Sequence, residues 1–492
     1  MSTTPASFLG RSLTLLLIVL FAVSPVWATC GGGGGGGGGG MTGGGGGSEA
    51  EVYPVPWKVR VPKDPPAMGL VLYWFPASAE EMKKSSLRMS RTLSLYASQC
   101  IAMELADDRV PNAPILLGEA KLPVAVLATP DGTPVTRVEN KDGKLRVEAV
   151  EKVVSAEVKT RETLLDGSLQ DAKTKAAAGD KDAAIKLFQS VVAQKCMFPK
   201  KAKEAAKELK KLGVAEVAFA AEGVDFSLPV FDERQSARVE FTMRRGLLAE
   251  NRARYLAAEK LYQQAHLLDP ADPTPLRYLG ELYRHHIGDW TKARASFDQI
   301  LNMPADPLSR AVALHGLGKI TIHEGQFKQG LHLMEDSVTE YPLALAYRNL
   351  AVYWNSEGDL VQGNAYTQKA LALDPKDPYN LVFAAVFMAA SGHAAEALKV
   401  ARANVGLLPA SYNLAAIYAQ NGQRDQALAF LKRHFYQYER YQAVRSKEMM
   451  EARVDAVFNS LRQDSAFLAL TRDADGRLMM PMKSIDKDSN AN

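Results

Sequence analysis

Residues 343–375 read LALAYRNLAVYWNSEGDLVQGNAYTQKALALDP. Two apolar-periodic segments meet at Glu357-Gly358-Asp359, and the second stops at Asp374-Pro375. Glycine supplies the turn between two helices, and proline cannot continue a helix and restricts the residue before it. The same phrase recurs along the chain: Pro270, Pro304, Pro342, Pro375 and Pro409 are spaced by 34, 38, 33 and 34 residues. A period near 34 with two helices per unit is the signature of a helical solenoid. Each hairpin leaves apolar surface bare unless a neighbour stacks on it, so the last unit needs a cap. The amphipathic helices expected from about Tyr438 to Leu470 suit that role.

The recurring positions are small or large as packing requires. The first unit carries Gly246, Ala258, Tyr262, Ala265 and Pro270. The second carries Leu279, Gly280 and Tyr283, then Ala293 and Phe297 one place late, because the turn Arg284-His285-His286-Ile287-Gly288 holds an extra residue. Leu317, Gly318 and Gly330 mark the third, and Leu350, Ala351, Gly363, Ala370 and Pro375 the fourth. Ala385, Ala397 and Pro409 mark the fifth, and Leu414, Ala415, Tyr418 and Ala427 a shortened sixth. This set resembles the tetratricopeptide family. The resemblance implies that the first helix of each repeat lines a concave groove for a protein or peptide partner. Carried onto this sequence, the groove positions are Arg277, Glu281, Arg284, His315, Lys319, His323, Arg348 and Asn355. The middle of such a groove is basic and suits the carboxylates of an acidic partner. The plainer alternative is that these are exposed helix residues with no dedicated ligand.

Chemistry-bearing motifs are few. His315, His323 and His332 are spaced by 8 and 9 residues, which puts the first pair two helical turns apart and too far for shared chelation. Gly316-Leu317-Gly318-Lys319-Ile320-Thr321 lacks the spacing of a phosphate loop and the hydroxyl directly after its lysine. No nucleophile elbow, zinc-peptidase or dinucleotide fingerprint occurs. The expectation is therefore no enzyme, no cofactor and no metal.

With 492 residues, the chain exceeds what one core usually supports. Its 59 basic and 55 acidic residues leave a formal charge of +4, which argues against a nucleic-acid binder. Arg11 precedes an apolar run from Leu13 to Val23, too short to span a bilayer but suited to a secretory leader. This predicts export to the periplasm or cell surface. Two endings compete. Val26-Trp27-Ala28 fits cleavage after Ala28, while Trp27-Ala28-Thr29-Cys30 resembles a bacterial lipobox, which implies a membrane tether through lipidated Cys30. Leu is usual in that motif where Trp27 stands, and Gly, Ala or Ser where Thr29 stands. The glycine runs Gly31 to Gly40 and Gly43 to Gly47 cannot bury apolar surface and form a tether reaching roughly 25 Å.

A first folded unit follows the Pro-rich extended arm Tyr53 to Pro66. Gly69 to Phe75 suits a buried strand, Pro76 to Glu81 opens a helix expected through about Ala97, and a strand follows at Ile101 to Leu105. Leu122 to Leu127 and Val135 to Val138 form a hairpin around Pro130-Asp131-Gly132, and a closing helix runs from about Leu145 to Val154. In order and spacing these segments resemble the thioredoxin-like fold, in which the proline matching Pro123 is cis beside the redox site. Where a redox member has Cys-x-x-Cys, this chain has Ala79-Glu80-Glu81-Met82. Disulfide exchange needs a thiolate that neither Ala79 nor Met82 supplies. The unit is therefore expected to be redox-inactive. Cys100 and Cys196 could pair in an oxidising compartment, but two buried free thiols are the expectation. Further on, Gly179 to Phe188 repeats the hairpin phrase. The lysines Lys200, Lys201, Lys203, Lys207, Lys210 and Lys211 interleave with Glu204 and Glu208 as a solvated face.

The fold class expected is multidomain: a small α/β thioredoxin-like unit followed by an all-α tetratricopeptide solenoid. The divisions are a signal peptide 1–29, a tether 30–52, the thioredoxin-like unit 53–158, a helical adaptor 159–234, about six repeats over 235–435, capping helices 436–472 and a loose tail 473–492. An exported scaffold that binds a protein or peptide, lipid-anchored if the Cys30 ending rather than the Ala28 ending is used, is the expected function. A redox or chaperone protein of the envelope and a structural envelope subunit are the alternatives. Metabolic labelling with a fatty acid should mark the wild-type chain and be lost in Cys30→Ser; label that persists in the variant excludes lipidation at Cys30.

Overall fold

The computed structural model describes residues 52–472, apart from 62–63, 108, 111, 215–228 and 440–441. The leader, Cys30, the glycine tether and the tail after 472 lie outside the described residues.

Strand β1 (Val71–Phe75) is apolar throughout because all five of its residues are buried. It pairs in parallel with β2 (Ala102–Leu105) and antiparallel with β3 (Val124–Ala128), which pairs antiparallel with β4 (Pro134–Glu139). The sheet order is β2-β1-β3-β4, with Tyr73 opposite Glu104 and Trp74 opposite Ala125. The Leu122-Pro123 bond before β3 is cis. The single helix expected after β1 is instead three pieces: α1 (Ala79–Lys84), a 3-10 turn Ser86–Arg88 and α2 (Arg91–Ser98). Serine explains the breaks. Ser78, Ser85 and Ser90 each accept a backbone N–H of the piece that follows, so each caps a new start. A short α3 (Ala113–Leu117) precedes β3.

The closing helix does not end near Val154. As α4 (Val147–Ala177) it runs 31 residues, since no proline interrupts it. Val150 and Val154 pack on the sheet, while Leu169 and Ala172 pack on α5 (Lys181–Ala193) and α6 (Pro199–Lys211). This length returns the α5–α6 connection to the sheet, where Met197 and Phe198 enter the core. Cys196 thereby meets Cys100 at a Cα separation of 5.8 Å and the two form a disulfide, not the expected free thiols. Acids of α4 meet the lysine face of α6: Lys201 lies 3.4 Å from Glu162 and is bonded to Asp166, and Lys173 donates to Glu204 at 2.7 Å.

Six helical hairpins follow among the described residues: α7 (Glu233–Asn251) with α8 (Tyr255–Leu268), α9 (Pro273–Leu282) with α10 (Trp290–Leu301), and α11 (Pro307–His323) with α12 (Phe327–Glu340). Then come α13 (Ala344–Ser356) with α14 (Leu360–Leu373), α15 (Pro378–Ala390) with α16 (Ala394–Ala403), and α17 (Ser411–Gln420) with α18 (Arg424–Arg433). Neighbours interlock through aromatic rings seated on missing side chains. A Cβ on Gly280 or on Gly316 would lie 2.3 Å from the Phe297 ring, so that ring is clamped between α9 and α11. The extra residue between α9 and α10 is absorbed as a π-helical turn, Tyr283–Ile287, ended by Gly288 at φ 75°. After α18 a second π-helical turn, His434–Tyr438, leads to α19 (Gln442–Val454) and α20 (Ser465–Leu470). Met449, Ala452, Phe458 and Phe467 bury against the α17–α18 core and cap it.

The sheet unit and the array are joined by one buried guanidinium. Arg91, on α2, is 3% exposed. Its Nε donates to Asp272 Oδ2 at 3.1 Å, its Nη2 donates to Asp269, and its Nη1 donates to Ser236 Oγ at 2.8 Å and to the Val230 carbonyl at 2.9 Å. Asp269 precedes Pro270, and Asp272 caps α9 by accepting from Thr274 N. The extended arm lies in the same seam: Tyr53 Oη donates to Asp272 Oδ2 at 3.0 Å, and Tyr341 Oη donates to the Trp57 carbonyl at 3.2 Å. Removing one partner of a buried ion pair costs about 3–5 kcal/mol because the other charge stays buried. Arg91→Ala should therefore lower the free energy of unfolding by about that amount in denaturant titration. A change no larger than the ~0.5 kcal/mol typical of surface substitutions would show that the seam does not depend on it.

Candidate functional site

The first helices α9, α11, α13, α15 and α17 stand side by side, and their facing side chains form a polar ladder. At one end Tyr262 Oη donates to Glu250 Oε2 at 2.6 Å, deep in the α7–α8 hairpin. Burial pushes the Glu250 carboxyl up to about 7, and Glu281 adds to the shift. Glu281 Oε2 accepts from Arg284 Nη2 at 2.9 Å and lies 3.5 Å from His285 Nε2. Burial alone would raise the Glu281 carboxyl, but Arg284 and His285 outweigh it and hold it far below the usual carboxylate range. Burial, reinforced by the Arg284 charge, lowers His285 to about 4 and pulls His315 well below its ordinary value. Both imidazoles are thus neutral at pH 7. Asn349 Nδ2 donates to His315 Nε2 at 2.8 Å.

The other end of the ladder meets the chain's own C-terminal helix. While Met449 and Ala452 turn one side of α19 into the cap, Glu448 and Glu451 turn toward α11 and α13. Glu451 Oε2 lies 3.6 Å from His323 Nε2. Lys319 Nζ donates to Tyr353 Oη. Burial works against the lysine's charge, yet Tyr353, Glu451 and Glu448 outweigh it and leave its pKa raised. Glu439, just after the π-helical turn, is pushed up to about 8 by burial and by the Glu448 charge. Tyr412 Oη donates to Asp455 Oδ2 at 3.1 Å. His285, Lys319, Tyr353, Tyr412, Glu448 and Glu451 help to bound a cavity of about 110 Å³.

The eight expected groove residues separate into two sets. Glu281, Arg284, His315, Lys319 and His323 follow one another along the ladder. Arg277 leaves it, stacking over the Tyr278 ring at 5.7 Å and acting on buried Asp306. Arg348 reaches into the next hairpin, where Nη1 donates to Asn380 Oδ1 at 3.1 Å. Asn355 packs against the position of Gly363. Arg277, Glu281, Arg284, His315, Arg348 and Asn355 are all buried, so the reading of exposed helix residues does not hold for them. His332, by contrast, stands apart on α12, 3.9 Å from Asp336.

Glu439, Glu448, Glu451, Tyr353 and His434 belong to the site and carry no repeat signature. The one available signal is the i, i+3 spacing of Glu448 and Glu451, which places both carboxylates on one helix face.

Between the two helices of each later hairpin, Gly325, Gly358, Gly392 and Gly422 adopt φ from 68° to 90°, as a left-handed turn requires. These turns, the aromatic-on-glycine packing and the proline stops decide the architecture. The array is a tetratricopeptide-like helical solenoid. No protein-family model matches the chain. The chain is 25% identical over 171 residues to the protein CTR9 homolog of Arabidopsis thaliana, covering 27% of this chain and 16% of that protein. The chain also aligns with a structure described as the functional characterization of Pseudomonas aeruginosa pilF, at 13% identity and TM-score 0.31, over 44% of this chain and 99% of that one. A crystal structure of the APC/C hetero-tetramer Cut9-Hcn1 aligns at 14% identity and TM-score 0.30, over 60% and 63%.

Because the Glu250 carboxyl is raised from 4.5 to about 7 in the fold, its contribution is fully present below about pH 4.5 and lost as pH rises through 7. Glu250→Gln keeps an acceptor for Tyr262 without a charge to desolvate. The variant should match the wild type at pH 4.5 and exceed it by up to about 3 kcal/mol at pH 8 in chemical denaturation. Parallel stability curves across that range would remove Glu250 as the source.

Proposed function

We propose that this chain is an exported interaction scaffold whose solenoid groove binds a partner helix presenting paired carboxylates. One observation carries the reading: the chain's own α19 lays Glu448 and Glu451 against Lys319, His323 and Tyr353, in the place such a partner takes. Lys319, kept charged although buried, is the recognition cation, and the neutral His285 and His315 leave it without a competing positive neighbour of their own. α19 thus doubles as cap and resident occupant.

Export and lipid anchoring through Cys30 belong to the same proposal. The Cys100–Cys196 disulfide supports export, since structural disulfides persist in oxidising compartments and are rare in the cytosol. The β-α-β unit followed by a hairpin supports a thioredoxin-like ancestry for the sheet. Its α1 starts with Ala79 and buries Met82, which leaves no thiol for exchange. In this reading the unit holds the array through Arg91 and performs no redox chemistry of its own.

The experiment uses a fluorescent synthetic peptide with the sequence of residues 439–455, in EDTA. In a full-length Glu448→Lys/Glu451→Lys variant, α19 is repelled from Lys319 and the groove opens. Removing an intramolecular competitor should tighten peptide binding by at least about tenfold over the unmodified chain. Adding Lys319→Glu should abolish it. Equal peptide binding to the open variant with and without Lys319→Glu, or none to either, would overturn the groove reading.

A further inference from the structure

We infer that His323, Glu448 and Glu451 form a binding site for one divalent transition-metal ion, with zinc the best-fitting, and that His434 stands behind Glu448 as its neighbour. The three donors come from α11 and α19, separated by over a hundred residues in sequence, yet their ligand atoms all lie within 4.8 Å of one another. Glu448 and Glu451 present their carboxylates from one face of a helix, as chelation from a single element requires.

The distances suit a cation better than direct contact. His323 Nε2 is 3.6 Å from Glu451 Oε2, and His434 Nε2 is 3.7 Å from Glu448 Oε2. Hydrogen bonds between such groups span about 2.7–3.2 Å. Zinc bonds of about 2.0–2.2 Å in a tetrahedron place neighbouring donors roughly 3.3–3.6 Å apart. His323 and Glu451 are therefore held beyond hydrogen-bond reach and close to the separation set by a shared ion.

Unsatisfied atoms point the same way. Glu451 Oε2 and both ring nitrogens of His434 are buried without a hydrogen-bond partner, and His434 is only 4% exposed. Leaving a buried polar atom unpaired is destabilising. A cation coordinated here would satisfy the Glu451 carboxylate oxygen. Trp290 meets the His323 ring edge-on at 5.2 Å and restrains its orientation. The adjoining cavity of about 110 Å³ has room for an ion and a bound water. An imidazole with two carboxylates is a donor set suited to zinc and its first-row neighbours rather than to calcium or magnesium. Bound there, the ion ties α19 to α11 and holds the resident occupant in place; with the peptide assay run in EDTA, the two proposals fail separately.

The test is calorimetric titration of Zn²⁺ into the untagged full-length chain carrying Cys30→Ser, with the other two cysteines left in their disulfide. One ion per chain should bind. Glu451→Gln and His323→Gln should each weaken binding by at least about 100-fold, and His434→Gln by about 10- to 100-fold. His332→Gln, on the exposed side of α12, should change nothing. Co²⁺ should give the intense visible absorption of a four-coordinate site and lose it when Zn²⁺ is added. Absence of stoichiometric binding to the parent chain, or affinity unchanged in both Glu451→Gln and His323→Gln, or an equal loss in His332→Gln, would overturn the site. Circular dichroism of the ion-free variants separates lost ligation from lost fold.

Discussion

The Arg91 guanidinium is the constraint on which the arrangement of the molecule depends. A cation of that size removed from water must be neutralised and hydrogen-bonded on every side. Asp269 and Asp272 do so from the first corner of the solenoid, and Val230 and Ser236 fill the remaining donors. Those same aspartates already have local duties, one before a helix-stopping proline and one at a helix N-cap. The corner of the repeat and the docking of the sheet unit are therefore one structure. Neither aspartate can be altered without disturbing both.

The polar ladder applies the same physics along the array. Repeats bury apolar surface between hairpins, and the first-helix face would ordinarily be wet. Here α19 covers part of it, so the groups beneath must pair with one another. Arg284 with Glu281 and Lys319 with Tyr353 are such pairs, and His285 and His315 accommodate burial by staying neutral. Glu250 and Glu439 carry the cost as raised carboxyl pKa values. Lys319 faces both kinds of neighbour, bonded to Tyr353 of the solenoid and set before the Glu448 and Glu451 carboxylates of α19.

Legibility from sequence follows the range of the interactions. The hairpins, their glycine turns and proline stops are local or recur at a fixed period, and Gly280 facing Phe297 is readable as a packing pair. The small sheet was also legible from its apolar runs. The fragmented first helix was missed because Ser85 and Ser90 cap within a stretch whose apolar pattern alone looks continuous. Three non-local facts carried no periodic signal. The Cys100–Cys196 bond depends on how far α4 runs, the Arg91 contact links residues 178 and 181 positions apart, and Glu448 and Glu451 sit on a helix whose average character is polar. Of the groove residues, those running from the end of α9 through α11 converge, whereas Arg277 and Arg348 turn to Asp306 and Asn380 of the next hairpin and Asn355 packs within its own.

The arm from Val52 to Trp57 has a mechanical consequence. Its tyrosine is tied to Asp272 and its tryptophan carbonyl to Tyr341, so it is anchored in the array before the chain enters the first strand. Tension applied from the N-terminal side enters at those anchor points. The same arm is bonded to the sheet unit, Val55 N donating to the Arg88 carbonyl and Trp57 Nε1 to the Leu87 carbonyl, so a pull is shared between the sheet unit and the front of the solenoid. The arm therefore ties the two units together at one seam, although along the chain it precedes only the sheet.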